Sequence, residues 1–538
     1  MSLPRWLTEA RGLRADLIAL VSGAVAALAL PPVHGLPVLL VAFPILLALI
    51  NASGRAIVAA RRGWWFGFGY HLIGLYWITE AILFEAARFW WLVPLAVPAL
   101  SAVLAVFIAV PAWVAWFAAP KDDHFRPQPR RTARSAAFSR ERRRGHTHSV
   151  GTPTRAGSAQ VMTLAGGWVL TDLARQFVAT GFPWNPLGSV WAAPGWPGDV
   201  MVQPAALVSV HGLTLATVVL ACAPVLRWRG RALCLAVFLA WIGFGVNRMA
   251  APPPPDQPLR VVLVQGNVPQ GQKWDRALLD NIFERYLRLT TDALQEDGAG
   301  PHVVVWPETA SPFQLATDTA ARAAIAAASH GEPVLAGAVR FDEDDRPRNT
   351  LFAVTGGGDI AARYDKWHLV PFGEYQPDWL PIGVQVVPGG GFARGRGPRT
   401  LRIPGVPPVG PLICYEAIFP GQVVNEANRP DWMVNVTNDA WFGTSTGPRQ
   451  HLAAARLRAV EEGLPLLRAA NTGISVAFDS RGHEITRIGM EQVGYRTVSL
   501  PGPLPRTVFA RYGLVVPGVL ALGFLAWGLF ARRYLLYG

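Results

Sequence analysis

Residues Val409–Glu416 have the sequence VGPLICYE, an apolar run that ends beside a cysteine and a glutamate. Short apolar runs of this length are typical of buried strands. The run predicts a strand over Val409–Cys414, which would place Cys414 at its carboxyl end. Cys414 is also the only one of the three cysteines that lies outside an apolar segment of membrane length.

Two other reactive side chains follow short runs upstream. Glu308 ends the run Val303–Glu308 (VVVWPE), and Lys366 ends Arg363–Lys366 (RYDK). A thiol, a carboxylate and an amine can supply a nucleophile, a general base and a charge for an oxyanion, which is the equipment of covalent acyl transfer. Each residue alone is a weak signal, because a lone cysteine in a strand is more often a small core residue.

The region around these motifs, residues 256–505, alternates short β-branched runs with helical stretches. A strand over Leu259–Gln265 precedes a helix over Leu278–Glu296, and a strand over His302–Trp306 precedes a helix over Ala316–Ser329. This alternation predicts an α/β domain. Further strands are predicted at Val334–Val339, Leu351–Thr355, Trp432–Val436 and Ser475–Asp479.

The rest of the chain has the composition of a membrane protein. Hydrophobic residues make up 51% of the 538 residues and charged residues only 16%, whereas a soluble domain carries about 25% charge. Apolar runs near the roughly 20 residues that a spanning helix needs lie at about 13–31, 34–50, 63–84, 92–118, 159–180, 200–225, 231–249 and 511–531. A cleaved signal peptide is the alternative for the first run, which the second run close behind it disfavours.

The arginines predict how the chain is oriented. Basic residues precede the first run and follow the second, fourth, sixth and last runs, whereas the other short loops hold almost none. By the positive-inside rule, both termini are then cytoplasmic and the α/β domain is periplasmic. The predicted organisation is a transmembrane part over 1–250, a catalytic domain over 256–505 and a C-terminal transmembrane helix over 511–531.

The net charge of +13 does not indicate nucleic-acid binding. Residues 121–156 hold ten Lys/Arg against three Asp/Glu, with no aromatic residues spaced for base stacking. This stretch is predicted to be a disordered, solvated cytoplasmic loop. The three cysteines form no disulfide or metal-ligand pattern, and the sequence has no phosphate-binding glycine loop.

Several motifs together resemble the apolipoprotein N-acyltransferases, which are membrane-bound members of the nitrilase (carbon-nitrogen hydrolase) superfamily. The resemblance covers nearly the whole chain. It rests on Gly181–Trp184 (GFPW), Val264–Gln270 (VQGNVPQ), Pro307–Thr309 (PET), Tyr364–Tyr375 (YDKWHLVPFGEY), Ile413–Glu416 (ICYE), Asn435–Gly443 (NVTNDAWFG) and Arg468–Gly473 (RAANTG).

The resemblance implies a fold and a set of site residues. The fold would be α/β, a nitrilase-like four-layer α-β-β-α sandwich inserted in an eight-helix transmembrane domain. The catalytic triad would be Glu308, Lys366 and Cys414. Supporting or oxyanion residues would be Glu374, Tyr415 and Glu416, and substrate-binding residues would be Trp274 and Trp184.

The resemblance also implies a reaction in a bacterial inner membrane. An acyl chain would move from a phospholipid, typically of the phosphatidylethanolamine type, to Cys414 as a thioester. It would then move to the free α-amine of the N-terminal diacylglyceryl-cysteine of a lipoprotein. The enzyme would act as a monomer in the lipid bilayer, without a metal or organic cofactor and without nucleic acid.

Two alternatives stay open at this point. One is a membrane-tethered nitrilase-type amidase that hydrolyses an amide, although a tether needs one helix and not eight. The other is a catalytically inactive nitrilase-like scaffold, which the intact triad disfavours. The chain also departs from the family pattern at Ser189, where tyrosine is usual, and at Arg449, where an aromatic residue is expected.

The orientation is testable with fusions. A reporter enzyme that is active only in the periplasm should be active when fused after Gly298 and inactive when fused near Ser139, because the arginine pattern places these positions on opposite sides of the membrane. The activities of the two fusions, corrected for expression, measure this. The reverse pattern would contradict the predicted orientation.

Overall fold

The computed structural model describes residues 7, 9–83, 89–119, 157–298, 300–377 and 391–535. The basic stretch 121–156 lies outside the described residues, and its expected disorder stays a prediction.

Each apolar run predicted from the sequence contains helix. The helices are α1 (Gly12–Ala26), α2 (Leu39–Asn51), α3 (Ala56–Gly74), α4 (Ile78–Leu83), α5 (Val93–Leu104), α6 (Val106–Phe117), α7 (Ser158–Arg175), α8 (Trp196–Met201), α9 (Ala205–Ala221) and α10 (Trp228–Ala250). Near the C-terminus, α14 (Val508–Tyr512) leads into α15 (Val515–Leu535).

Four helical segments of the described chain are long and apolar enough to cross a membrane, and they are Gly12–Ala29, Trp90–Phe117, Ala205–Val225 and Trp228–Ala250. Leu36–Asn51 and Val515–Ala531 are shorter apolar helices.

Small residues let the first helices pack closely. A side-chain carbon at Gly23 of α1 would collide with the carbonyl of Phe66 in α3, and one at Gly69 of α3 would collide with the carbonyl of Leu20. The two backbones therefore touch, as is common where helices associate in a membrane.

The region after α10 forms two six-stranded sheets. The first contains β1 (Arg260–Gln265), β2 (His302–Val305), β3 (Val334–Phe341), β4 (Pro347–Val354), β5 (Ile360–Asp365) and β12 (Gly494–Ser499), in the order β12-β1-β2-β3-β4-β5. The second contains β6 (Leu401–Ile403), β7 (Val406–Ile413), β8 (Trp432–Thr437), β9 (Leu466–Ala470), β10 (Ser475–Phe478) and β11 (Glu484–Ile488), in the order β11-β10-β9-β8-β7-β6. Strands β1, β2 and β3 are parallel, as are β7, β8 and β9.

The two sheets pack face to face, with one helical layer on each outer face. Val303 of the first sheet and Val434 of the second belong to the same buried core. Helices α11 (Leu279–Asp297) and α12 (Thr319–Ala328) cover the first sheet, and α13 (Gly447–Glu462) covers the second. The predicted α-β-β-α sandwich is therefore confirmed.

Helix α13 also joins the sandwich to the membrane helices. Ser209 interrupts α9 with φ 62° and ψ 174°. The Glu461 carboxylate accepts hydrogen bonds from the Ser209 hydroxyl and the Val210 N–H, both at 2.8 Å. The Glu461 carboxylate of the sandwich thus accepts from the two donors at the break in α9. Without it, these buried donors would lack a hydrogen-bond partner.

Candidate active site

The predicted triad residues all lie just beyond the carboxyl ends of strands. Glu308 follows β2 and Lys366 follows β5 in the first sheet, whereas Cys414 follows β7 in the second. All three are buried, with relative exposures of 5%, 1% and 6%. The face-to-face packing of the sheets therefore brings reactive side chains of both sheets to the same end of the sandwich.

Lys366 lies between two carboxylates. Its ammonium group donates to Glu374 Oε1 at 2.8 Å and to Glu308 Oε1 at 3.2 Å. Asn349 donates to the same two oxygens, at 3.2 Å and 2.6 Å. The second oxygen of Glu374 accepts the Val370 N–H at 2.8 Å. Glu374 therefore holds the Lys366 ammonium group and also the backbone of the loop between Lys366 and Glu374.

Glu308 is also held from the second sheet and by a second lysine. Its Oε2 accepts the backbone N–H of Asn438 at 2.8 Å. Buried Lys273 donates to the backbone carbonyl of Glu308 at 3.1 Å. Burial acts to raise the pKa of Glu308, but the nearby charges of Lys366 and Lys273, with the hydrogen bond from Asn349, leave that pKa below its ordinary value.

Cys414 has an unusual backbone conformation. Its φ is 51°, in the left-handed region, at the point where β7 turns into the 3-10 segment Cys414–Ile418. Such a conformation costs about 1–3 kcal/mol in a residue other than glycine, so the surroundings must hold it. Burial raises the pKa of the Cys414 thiol, the Glu308 charge raises it further and the Lys366 charge opposes this. The resting side chain is therefore a neutral thiol.

Glu416 and Tyr415 fasten the turn after the cysteine. Glu416 Oε1 accepts from the Tyr364 hydroxyl at 2.9 Å and the Trp367 N–H at 2.7 Å, and Oε2 accepts the Ile413 N–H at 2.7 Å. Burial raises the pKa of Glu416 to about 7. The Tyr415 hydroxyl donates to the carbonyl of Gly181, at 2.9 Å, in the membrane half of the chain.

The two predicted substrate-binding tryptophans have different surroundings. Trp184 is buried, its ring centroid lies 4.5 Å from that of Trp77, and its indole N–H donates to Gln450 at 2.9 Å. Trp274 is 51% exposed, next in sequence to the buried Lys273. Trp184 therefore belongs to a packed aromatic wall, formed with Trp77, between the membrane helices and the site. Trp274 lies on the surface beside the buried Lys273.

One group of side chains has spacing that could suit a metal ion. The ligand atoms of Cys414, Asp439 and His451 lie within 4.8 Å of one another. The guanidinium of Arg468, however, donates to Asp439 at 2.6 Å and lies 3.2 Å from His451 Nδ1. A fixed positive charge at this distance opposes the binding of a cation.

Ser189 and Arg449, the two residues that depart from the family pattern, both have defined surroundings in the structure. Ser189 is buried in the 3-10 segment Leu187–Trp191. Arg449, in the first turn of α13, donates to the carbonyls of Thr444 at 3.1 Å and Ser445 at 3.0 Å.

Comparison with known proteins defines the class first. Residues 260–501 match the carbon-nitrogen hydrolase family, and this range contains both sheets of the sandwich. Residues 22–223 match the apolipoprotein N-acyltransferase N-terminal domain.

Full-length relatives then identify the particular family. An apolipoprotein N-acyltransferase of Rhodopseudomonas palustris is 36% identical over 540 residues, covering 95% of this chain and 94% of that protein. The enzyme of the same name from Sinorhizobium medicae is 37% identical and covers 92% and 91%, and that from Bradyrhizobium diazoefficiens is 35% identical and covers 95% and 93%. The chain belongs to the apolipoprotein N-acyltransferase family and is an acyltransferase.

Sequence reasoning assigned no role to several residues that the structure brings to the site. They are Lys273, Asn349, Asn438, Asp439 and His451. Lys273 is next in sequence to Trp274, and Asn438 and Asp439 lie within the motif Asn435–Gly443. The motifs marked these positions, but only the fold reveals which atoms they contact.

Lys273 gives a pH-dependent prediction. Loss of its charge in Lys273→Met should raise the pKa of Glu308, because one of the two cations that lower it is gone. If Glu308 takes the Cys414 proton, alkylation of Cys414 by iodoacetamide falls as pH falls through the pKa of Glu308. The acid limb of the rate–pH profile should therefore shift to higher pH in Lys273→Met.

The exposed neighbour Arg276 provides a matched control. Arg276→Met removes the same charge three residues further along the chain and should leave the acid limb in place. An unchanged limb in Lys273→Met would show that this lysine does not act on Glu308.

Proposed function

We propose that the protein transfers an acyl chain from a membrane phospholipid, through a thioester on Cys414, to the free α-amine of the N-terminal diacylglyceryl-cysteine of lipoproteins. Membership of the apolipoprotein N-acyltransferase family supports this reaction. The observation that carries it is the buried Glu308–Lys366 pair coupled to Cys414, beside the contact between Tyr415 and Gly181 of the membrane half.

In the first half-reaction, Glu308 takes the proton of Cys414, and the thiolate attacks the ester carbonyl of the phospholipid. The ammonium of Lys366 and the backbone N–H of Tyr415 stabilise the oxyanion that forms. The tetrahedral intermediate collapses by breaking the ester C–O bond. Glu308 returns the proton to the leaving glycerol oxygen, so that a lysophospholipid departs and the acyl group remains on sulfur.

In the second half-reaction, the neutral α-amine of the lipoprotein cysteine attacks the thioester carbonyl at the same place. Glu308 accepts a proton from the attacking nitrogen, and the C–S bond breaks as the amide forms. Protonation of the Cys414 thiolate through Glu308 restores the starting enzyme. Both half-reactions therefore use one base and one oxyanion site, which is the logic of a ping-pong transferase.

The placement in the cell forms part of the proposal. Residues 1–250 and 511–531 lie in the bacterial inner membrane, and residues 256–505 form the periplasmic catalytic domain, with both termini cytoplasmic. The donor is of the phosphatidylethanolamine type, and the enzyme acts as a monomer. Exposed Trp274 and the packed aromatic wall at Trp184 contact the acyl chains, which supports access from the bilayer.

Incubation with phospholipid alone tests the thioester. The intact mass of the purified protein should increase by one acyl group, and hydroxylamine should remove it. Cys414→Ala should abolish the increase, because it lacks the nucleophile, whereas Cys222→Ala and Cys234→Ala should retain it. Acylation that persists in Cys414→Ala, or release of free fatty acid without transfer to a diacylglyceryl-cysteine peptide, would contradict the proposal.

The same assay separates the roles of the other two residues. Glu308→Gln keeps the shape of the side chain but removes the base, and Lys366→Met removes the charge at the oxyanion. Each should lower the single-turnover acylation rate by at least ~10²-fold. Glu484→Gln, at a surface ion pair with Arg487, should have no effect. A near-normal rate in either triad variant would mean that its role is misassigned.

A further inference from the structure

The carbonyl of Cys414 accepts a hydrogen bond from a buried histidine. His451 Nε2 lies 2.9 Å from this oxygen, and because a carbonyl only accepts, the Nε2–H is the donor. The preceding peptide is held as well, since the Ile413 N–H donates to Glu416 at 2.7 Å. Side chains thus fasten the backbone on both sides of the left-handed residue.

His451 is itself locked in place by residues from three elements. Burial lowers the pKa of His451, so the neutral ring carries its proton on Nε2 and its Nδ1 accepts from the Arg468 guanidinium at 3.2 Å. Asp439 Oδ1, just beyond β8, lies 2.9 Å from the same nitrogen. Asp439 accepts from Thr437 at 3.0 Å and from Arg468 of β9 at 2.6 Å. His451, Asp439 and Arg468 are all buried, and the relative exposure of each is at most 1%. The ring, which α13 supplies, therefore has one orientation relative to the second sheet.

The hydrogen bond to the Cys414 carbonyl also affects the Tyr415 N–H, because both groups belong to one peptide unit. The Cys414 carbonyl and the Tyr415 N–H belong to the same peptide unit, which is trans and planar, so the two groups point in opposite directions. Fixing the oxygen therefore fixes the direction of the N–H. Tyr415 is also the second residue of the 3-10 segment Cys414–Ile418, and the first N–H groups of a helix have no partner within it.

We infer that His451 is a positioning residue that aims the Tyr415 N–H at the oxyanion by holding the Cys414 carbonyl, with Asp439 and Arg468 fixing the imidazole. Because the Nε2–H of His451 is donated to the Cys414 carbonyl, the ring acts on the site through this peptide unit. This inference rests on the proposed function, because the oxyanion arises in acyl transfer.

Two substitutions of His451 separate the contacts of Nε2 from those of Nδ1, because each keeps only one of the two sets. In His451→Gln the side-chain amide nitrogen lies close to the position of Nε2, so the bond to the Cys414 carbonyl can persist. In His451→Asn the side-chain amide ends close to the position of Nδ1, so contacts with Arg468 and Asp439 can persist while the carbonyl loses its donor. Both variants are polar and uncharged, and they disturb the core in similar ways.

The experiment measures two reactions of Cys414 in each variant. One is single-turnover acylation, with phospholipid and separately with p-nitrophenyl butyrate, and it passes through an oxyanion. The other is alkylation by iodoacetamide, which does not. His451→Asn should acylate at least about tenfold more slowly than the wild type, whereas His451→Gln should remain within about threefold. Alkylation should remain within about threefold in both variants, and the KM for phospholipid should not change.

Several results would overturn the inference. Equal acylation losses in the two variants, a parallel loss of alkylation, or normal acylation in His451→Asn would each exclude aiming of the Tyr415 N–H. If His451→Asn does not fold, Asp439→Asn weakens the ring's anchor and should give a smaller loss of acylation with unchanged alkylation. Absence of a phospholipid-derived thioester in the wild type would count against the proposed function alone, since the p-nitrophenyl butyrate series still tests His451.

Discussion

An ammonium group buried between two carboxylates is the constraint on which the site depends. Lys366 is 1% exposed, and its charge is compensated by Glu308 and Glu374. Removing water from such a charge costs several kcal/mol, and loss of either partner would leave an uncompensated charge in the interior. The ends of β2 and β5 and the loop through Glu374 must therefore stay together. In the proposed reaction, this places the base and the oxyanion charge before a substrate arrives.

The sandwich brings Cys414 to Glu308 and Lys366 from the opposite sheet. β2 and β7 belong to different sheets, and the Asn438 N–H, just beyond β8 of the second sheet, donates to Glu308 at 2.8 Å. The packing of the two sheets therefore brings the carboxylate and the thiol into one buried volume. The low polarity there strengthens each charge interaction, and the same burial raises the pKa of the Cys414 thiol.

Much of this architecture could be predicted from the sequence. Apolar runs indicated the helices, and strands β1, β2, β7 and β8 were placed within a few residues, because continuous apolar runs mark buried strands. Strands β5, β6, β9, β11 and β12 were not predicted. Exposed positions interrupt the apolar pattern in β5, β6, β11 and β12, and the buried Arg468 interrupts it in β9. Motifs identified Glu308, Lys366 and Cys414, but the contacts of Lys273 and His451 join residues far apart in the chain, and no local pattern contains them.

Helix α13 connects the bilayer to the chemistry through two adjacent side chains. Gln450 accepts from Trp184 and donates to the carbonyls of Pro31 and Gly74, at 3.3 Å and 3.2 Å, in the membrane half. The next residue, His451, faces the Cys414 carbonyl. Because neighbouring residues of a helix share one rigid backbone, displacement of the membrane contacts would be transmitted to the hydrogen bond at the Cys414 carbonyl. The membrane helices therefore help to fix the backbone at Cys414, a contribution that a soluble sandwich would lack.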